Sequence, residues 1–92
     1  MSETRENRLR RMKMRAWHRG TKEMDIILGG YADARLTALA DDRLAMLDAL
    51  MEENDQDLYQ WVTGQRPAPA EFAGLVDEIA AHAGARPGRA PA

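Results

Sequence analysis

Ninety-two residues provide for one small domain with a modest core. The chain has no cysteine, which excludes disulfides and thiolate metal sites, and no apolar run nears the ~20 residues that span a bilayer. The net charge of -2 hides a lopsided distribution: residues 1–22 hold eight basic and two acidic groups, while residues 23–92 hold five basic and thirteen acidic ones. A basic arm on an acidic body implies either pairing within the molecule or an acidic partner.

The apolar period is helical throughout, and no alternating run of β-formers is bounded by turn residues, so an all-α fold is expected. Ser2 or Thr4 can cap a first helix over 5–17, with Leu9, Met12, Ala16 and Trp17 facing inward. Gly20 is expected to stop it in the left-handed conformation, and Thr21 to cap a second helix over 22–35. That helix carries Met24, Ile27, Leu28 and Tyr31 in one stripe. Gly29 and Gly30 interrupt it at a cost of roughly 1 kcal/mol each against alanine, which close packing must offset. A third helix over 41–53 presents Leu44, Leu47, Leu50 and Met51. Asp55 can cap a fourth over 56–63, with Leu58, Tyr59, Trp61 and Val62, closed by Gly64. Pro67 and Pro69 mark a break and suit the start of a fifth over 69–83, with Phe72, Leu75, Val76, Ile79 and Ala83, ended by Gly84. The organisation expected is a single domain over 1–84, a five-helix bundle of antiparallel neighbours and monomeric when free. A small, Pro/Gly-rich tail over 85–92 is expected to be disordered.

There is no Gly-rich phosphate loop, no metal-spaced histidine pair and no nucleophile motif, so neither a catalytic set nor a metal site is expected. His82 reads as a surface residue, and His18 as a cap near a helix C-terminus that also borders the first turn. Two features remain. One is Arg19-Gly20-Thr21-Lys22-Glu23, an apparently exposed corner with a cation, a bare backbone and an anion; its plain reading is an ion pair across a turn. The other is Asp57-Leu58-Tyr59-Gln60-Trp61, whose aromatics could equally be core.

Together and in this order, the two motifs resemble the succinate dehydrogenase assembly factor, or flavinator, family over about residues 5–80. Its members carry Arg-Gly-x-x-Glu after a first helix and Asp-Leu-(Tyr/Phe)-x-Trp in a fourth. Leu39-Ala40-Asp41-Asp42 is similar to the family's Leu-Ser-Asp-Asp helix start, with Ala40 in place of the capping hydroxyl. The resemblance implies five helices and a partner, the flavoprotein subunit of succinate dehydrogenase and in some bacteria of fumarate reductase. It implies a chaperone that promotes covalent attachment of FAD to that subunit. The chain has no dinucleotide fingerprint, so no tightly bound FAD is expected on it, and transient contact with FAD stays open. Arg19, Gly20 and Glu23 are then the contact corner; Asp57, Tyr59 and Trp61 buttress it, with Tyr59 able to reach the partner and His18 at its border. The chain reads as complete, bacterial and cytoplasmic. The alternative is a nucleic-acid-binding or antitoxin-like protein using the basic first helix, against which stands the acidic overall balance.

Overall fold

The computed structural model describes residues 3–84, so the expected tail and the capping role of Ser2 lie outside the described residues. Five α-helices and one 3₁₀ turn follow in order: α1 Arg5–Trp17, α2 Lys22–Arg35, the turn Leu36–Ala38, α3 Asp41–Leu50, α4 Asp55–Val62 and α5 Ala73–His82. No strand occurs among the described residues, and the all-α bundle expected from the period is what forms.

Local chemistry sets most of the boundaries. Thr4 Oγ1 accepts the Asn7 N–H and opens α1, and Thr21 Oγ1 accepts the Met24 N–H and opens α2. Asn54, rather than the expected Asp55, caps α4 by accepting the Gln56 N–H, which leaves the Asp55 carboxylate for other work. Gly64 and Gly84, just past α4 and α5, have φ of 78° and 75°, the left-handed closures expected of them. The segment 69–72 is not part of α5, which begins only at Ala73 after a turn.

The predicted stripes converge on one core. Met12 and Ala16 of α1 meet Met24, Ile27, Leu28 and Tyr31 of α2, all buried. Leu44, Leu47 and Leu50 of α3, Leu58 and Val62 of α4, and Leu75, Val76 and Ile79 of α5 complete the core. Tyr31 also ties α2 to α5: its hydroxyl donates to Glu78, and its ring meets His82 edge-on at 5.9 Å.

Two seams fix α1. Trp17 was expected inward but remains 37 % exposed, because its indole lies flat over α2 instead of entering the core. A Cβ at Gly29 would stand 2.2 Å from its ring, so this glycine provides the close approach that its helix cost implied. Gly30 has no such neighbour within 3.9 Å. The indole N–H donates to Asp33 at 3.2 Å. Trp17 lies against Gly29 while Lys13, one turn earlier, reaches Asp33, one turn later, at 3.4 Å, so α1 and α2 run antiparallel. Along α3 the contacts advance in parallel: Arg5 with Asp41 at 2.7 Å, Arg11 with Asp48 at 2.7 Å and Arg15 with Glu52 at 2.8 Å. Most of the basic arm is thus paired within the molecule, while Arg10 and Lys22 have no carboxylate partner among the described residues.

Candidate functional site

The corner between α1 and α2 spans His18 to Thr21. α1 ends at His18, whose N–H donates back to Arg15 O with φ of -123° and ψ of 61°. Gly20 does not have the left-handed φ expected of it; the only positive-φ glycines among the described residues are Gly64 and Gly84. The turn is set instead by polar contacts. The Arg19 N–H donates to the Asp25 carboxylate in the first turn of α2, a negative group placed where the helix dipole favours it.

The Arg19 side chain is not exposed, contrary to expectation: 8 % of it meets solvent. Its guanidinium leaves the corner and enters the α3–α4 junction. Nε donates to Asp55 Oδ1 at 2.8 Å, Nη1 to Met51 O at 2.8 Å and Nη2 to Glu53 O at 3.2 Å. Met51 O lies at the C-cap of α3, where orphan acceptors and the negative end of the dipole suit a cation, and Glu53 O lies in the loop before α4. All three guanidinium nitrogens are therefore committed inside the molecule. The expected Arg19–Glu23 ion pair is not formed; Asp55, 17 % exposed, takes that place.

Asp55 holds the corner twice, because its second oxygen accepts the Gly20 N–H. A Cβ on Gly20 would stand 2.9 Å from that oxygen. The absent side chain at residue 20 is thus explained by close approach to Asp55 rather than by backbone handedness.

Above this clamp lies an open depression of about 540 Å³, lined by Thr21, Glu23, Asp55, Gln56, Tyr59, Gln60 and Gln65. Glu23 is exposed at its edge, and Tyr59 is half-buried in its wall. Of the residues singled out from sequence, the fold brings Arg19, Gly20, Glu23 and Tyr59 to one place. Asp57 and Trp61 lie apart, and His18, though within the corner, lines a different depression. Asp57, on α4 but not in the lining of the depression, pairs with Arg66 at 3.4 Å. Trp61 is 8 % exposed and belongs to the core, and its buried indole N–H finds no partner among the described residues. His18 lines a second depression along α1 with Arg10 and Met14.

Asp55 and Asp25 are the residues that sequence reasoning missed. Asp55 was read only as a cap, and its link to Arg19 crosses 36 positions. Gln56, Gln60 and Gln65 carried no signal as contact residues, since isolated glutamines on helix surfaces are commonplace.

With the geometry in hand, comparison with known proteins is specific. The profile of the family described as "Flavinator of succinate dehydrogenase" matches residues 10–83. The chain belongs to this family. It is 39% identical over 66 residues to the FAD assembly factor SdhE of Acetobacter pasteurianus, covering 72% of this chain and 61% of that protein. It is 38% identical over 72 residues to the mitochondrial succinate dehydrogenase assembly factor 2 of Mycosarcoma maydis, covering 78% and 30%. With the protein of the same name from Schizosaccharomyces pombe it shares 33% identity over 70 residues, covering 76% and 50%. The chain thus spans from 30% to 61% of the length of these relatives.

Proposed function

We propose that the chain is an FAD assembly factor. It binds the flavoprotein subunit of succinate dehydrogenase, and that of fumarate reductase where a host has one, and promotes covalent attachment of FAD to it. It acts as a monomeric chaperone in the cytoplasm, and the bond-making belongs to the flavoprotein.

The observation that carries this reading is the corner itself. Gly20 offers backbone without a side chain, Glu23 and Tyr59 stand beside it, and Asp55, held by Arg19, fixes the Gly20 backbone from beneath. Such a surface is rigid before binding, which lowers the entropy cost of docking. Glu23 supplies an acceptor for a partner donor, and Tyr59 a ring with a polar tip. Arg19 acts from below rather than by touching the partner. Docking then selects the flavoprotein conformation in which FAD and its attachment residue are aligned.

The lining of the depression contains two carboxylates, Glu23 and Asp55, and no cation. That composition does not fit the diphosphate of FAD, and it supports placing FAD on the partner. The rival use of α1 on nucleic acid is disfavoured because Arg5, Arg11 and Arg15 are already paired with carboxylates.

The test is co-purification of the tagged chain from its native host, with covalent flavin on the partner read by in-gel fluorescence. Wild type is expected to bring down the flavoprotein subunit, and folded Gly20→Arg protein is expected to lose it. Recovery of the subunit by Gly20→Arg at wild-type yield would show that the corner is not the interface.

A further inference from the structure

Asp55 is in none of the motifs that drew attention to this chain, yet among the described residues it is the only side chain that bonds both Arg19, through Nε at 2.8 Å, and the Gly20 N–H. Its freedom to do so comes from the local sequence. Asn54 takes over the capping of α4, so the Asp55 carboxylate points across to the α1–α2 turn instead of back at its own helix. Arg19 in turn is anchored to Met51 O and Glu53 O, so the carboxylate is held on one side by a group that cannot swing away. Asp55 also lines the depression beside Thr21, Glu23 and Tyr59. One carboxylate therefore sets the height of the Gly20 backbone and its distance from Tyr59 on the facing helix.

We infer that Asp55 is a positioning residue for partner recognition: it fixes the Gly20–Glu23 turn against α4 so that Glu23, the Gly20 backbone and Tyr59 meet the flavoprotein as one surface. This rests on the reading of the corner as the interface. Asp55 also dictates glycine at residue 20, since the carboxylate pinned by Arg19 fills the space a Cβ would need. A purely structural aspartate would affect how much protein is folded. A positioning aspartate affects what Glu23 is worth once the protein is folded.

A double-mutant cycle separates the two. Affinity for the FAD-free flavoprotein subunit is measured by calorimetry for wild type, Asp55→Asn, Glu23→Ala and the double variant, well below every melting midpoint. Asn preserves the size of the side chain but removes the charge that holds Arg19. The expected result is that each single variant binds about tenfold or more weakly, and that Glu23→Ala costs no more than about twofold in the Asp55→Asn background. Should Asp55→Asn fail to fold, Asp55→Glu is read in the same cycle; it keeps the charge for Arg19 and moves the carboxylate off the Gly20 N–H. Asp55 variants that bind within twofold of wild type, or losses that add in full, would overturn the positioning role while leaving the interface intact. A Glu23→Ala variant that binds like wild type would remove the interface reading and the positioning role together.

Discussion

Arginine meets carboxylate in two regions of this molecule, and the two are not equivalent. Along α1 and α3, Arg15 faces Glu52 with side chains 36% and 63% exposed. At the corner, Arg19 faces Asp55 with 8% and 17% exposed. The distances are the same, 2.8 Å in each case. Water separates their energetics: an exposed pair is screened and exchanges protein contacts for solvent at little net gain. A buried pair has given up its hydration, so removing one partner strands the other charge. The lesson is that the cluster of arginines conspicuous in the sequence is the energetically minor one, while the single arginine in the turn holds three elements together.

The sharpest way to break that contrast is Arg19→Ala. It leaves Asp55 without its cation and Met51 O and Glu53 O without their donor. A destabilisation of about 3–5 kcal/mol is expected, a large share of the ~5–15 kcal/mol available to a small domain. Urea unfolding followed by circular dichroism measures it. A midpoint unchanged from wild type would show that the buried pair is worth no more than a surface one. Loss of flavinylation in this variant would follow from loss of fold, so Arg19→Ala cannot by itself mark the interface.

This is also where the sequence was least legible. The helices could be read because their signals are local: Thr4 and Thr21 as caps, the i, i+3, i+4 stripes as core, Gly64 and Gly84 as closures. The motif at the corner pointed to the right place but to the wrong contacts. Glu23, four residues from Arg19, is its nearest acid downstream in the chain, whereas Asp55, 36 away, is its partner in space. Charge and spacing along one chain segment cannot reveal which carboxylate a neighbouring junction delivers. Gly20 was misread for the same reason, since a glycine required by a neighbour's side chain looks identical to one required by φ. Gly29 was legible: the helix cost signalled close packing, and the occupant is the Trp17 ring at the end of α1.

Acid sharpens the comparison at the intermediate level. Asp48 accepts two hydrogen bonds from Arg11, at 2.9 and 2.7 Å, and the Arg11 guanidinium holds its carboxyl below the ordinary value of 3.8. A carboxylate with a depressed folded-state pKa contributes stability that is present above the unfolded value and lost as pH falls through the folded one. Melting scans from pH 6 down to pH 2 should therefore show wild type losing stability more steeply below about pH 4 than Asp48→Asn, with the two curves converging at the acid end. Parallel curves across this range would mean that the Arg11–Asp48 contact does not persist in solution.

The smallest effect is expected from Arg15→Ala. Arg15 makes two short hydrogen bonds to Glu52, at 2.8 and 2.9 Å, and by contact geometry alone it looks as strong as Arg19. Both groups stand in water, however, and the Glu52 carboxyl, though drawn below its usual value of 4.5 by the hydrogen bond from Arg15, can rehydrate fully once the arginine is gone. Nothing is stranded. The midpoint of thermal unfolding should move by no more than about 2 °C, within the shift a few tenths of a kcal/mol produces in a domain of this size. Raising the salt concentration should shrink even that difference, since screening already weakens the wild-type pair. Binding to the proposed flavoprotein partner should also be unchanged, because Arg15 lines the α1 depression rather than the corner. An Arg15→Ala protein that melts as early as Arg19→Ala would show that exposure does not divide the two regions, and that the α1–α3 ladder carries the fold in its own right.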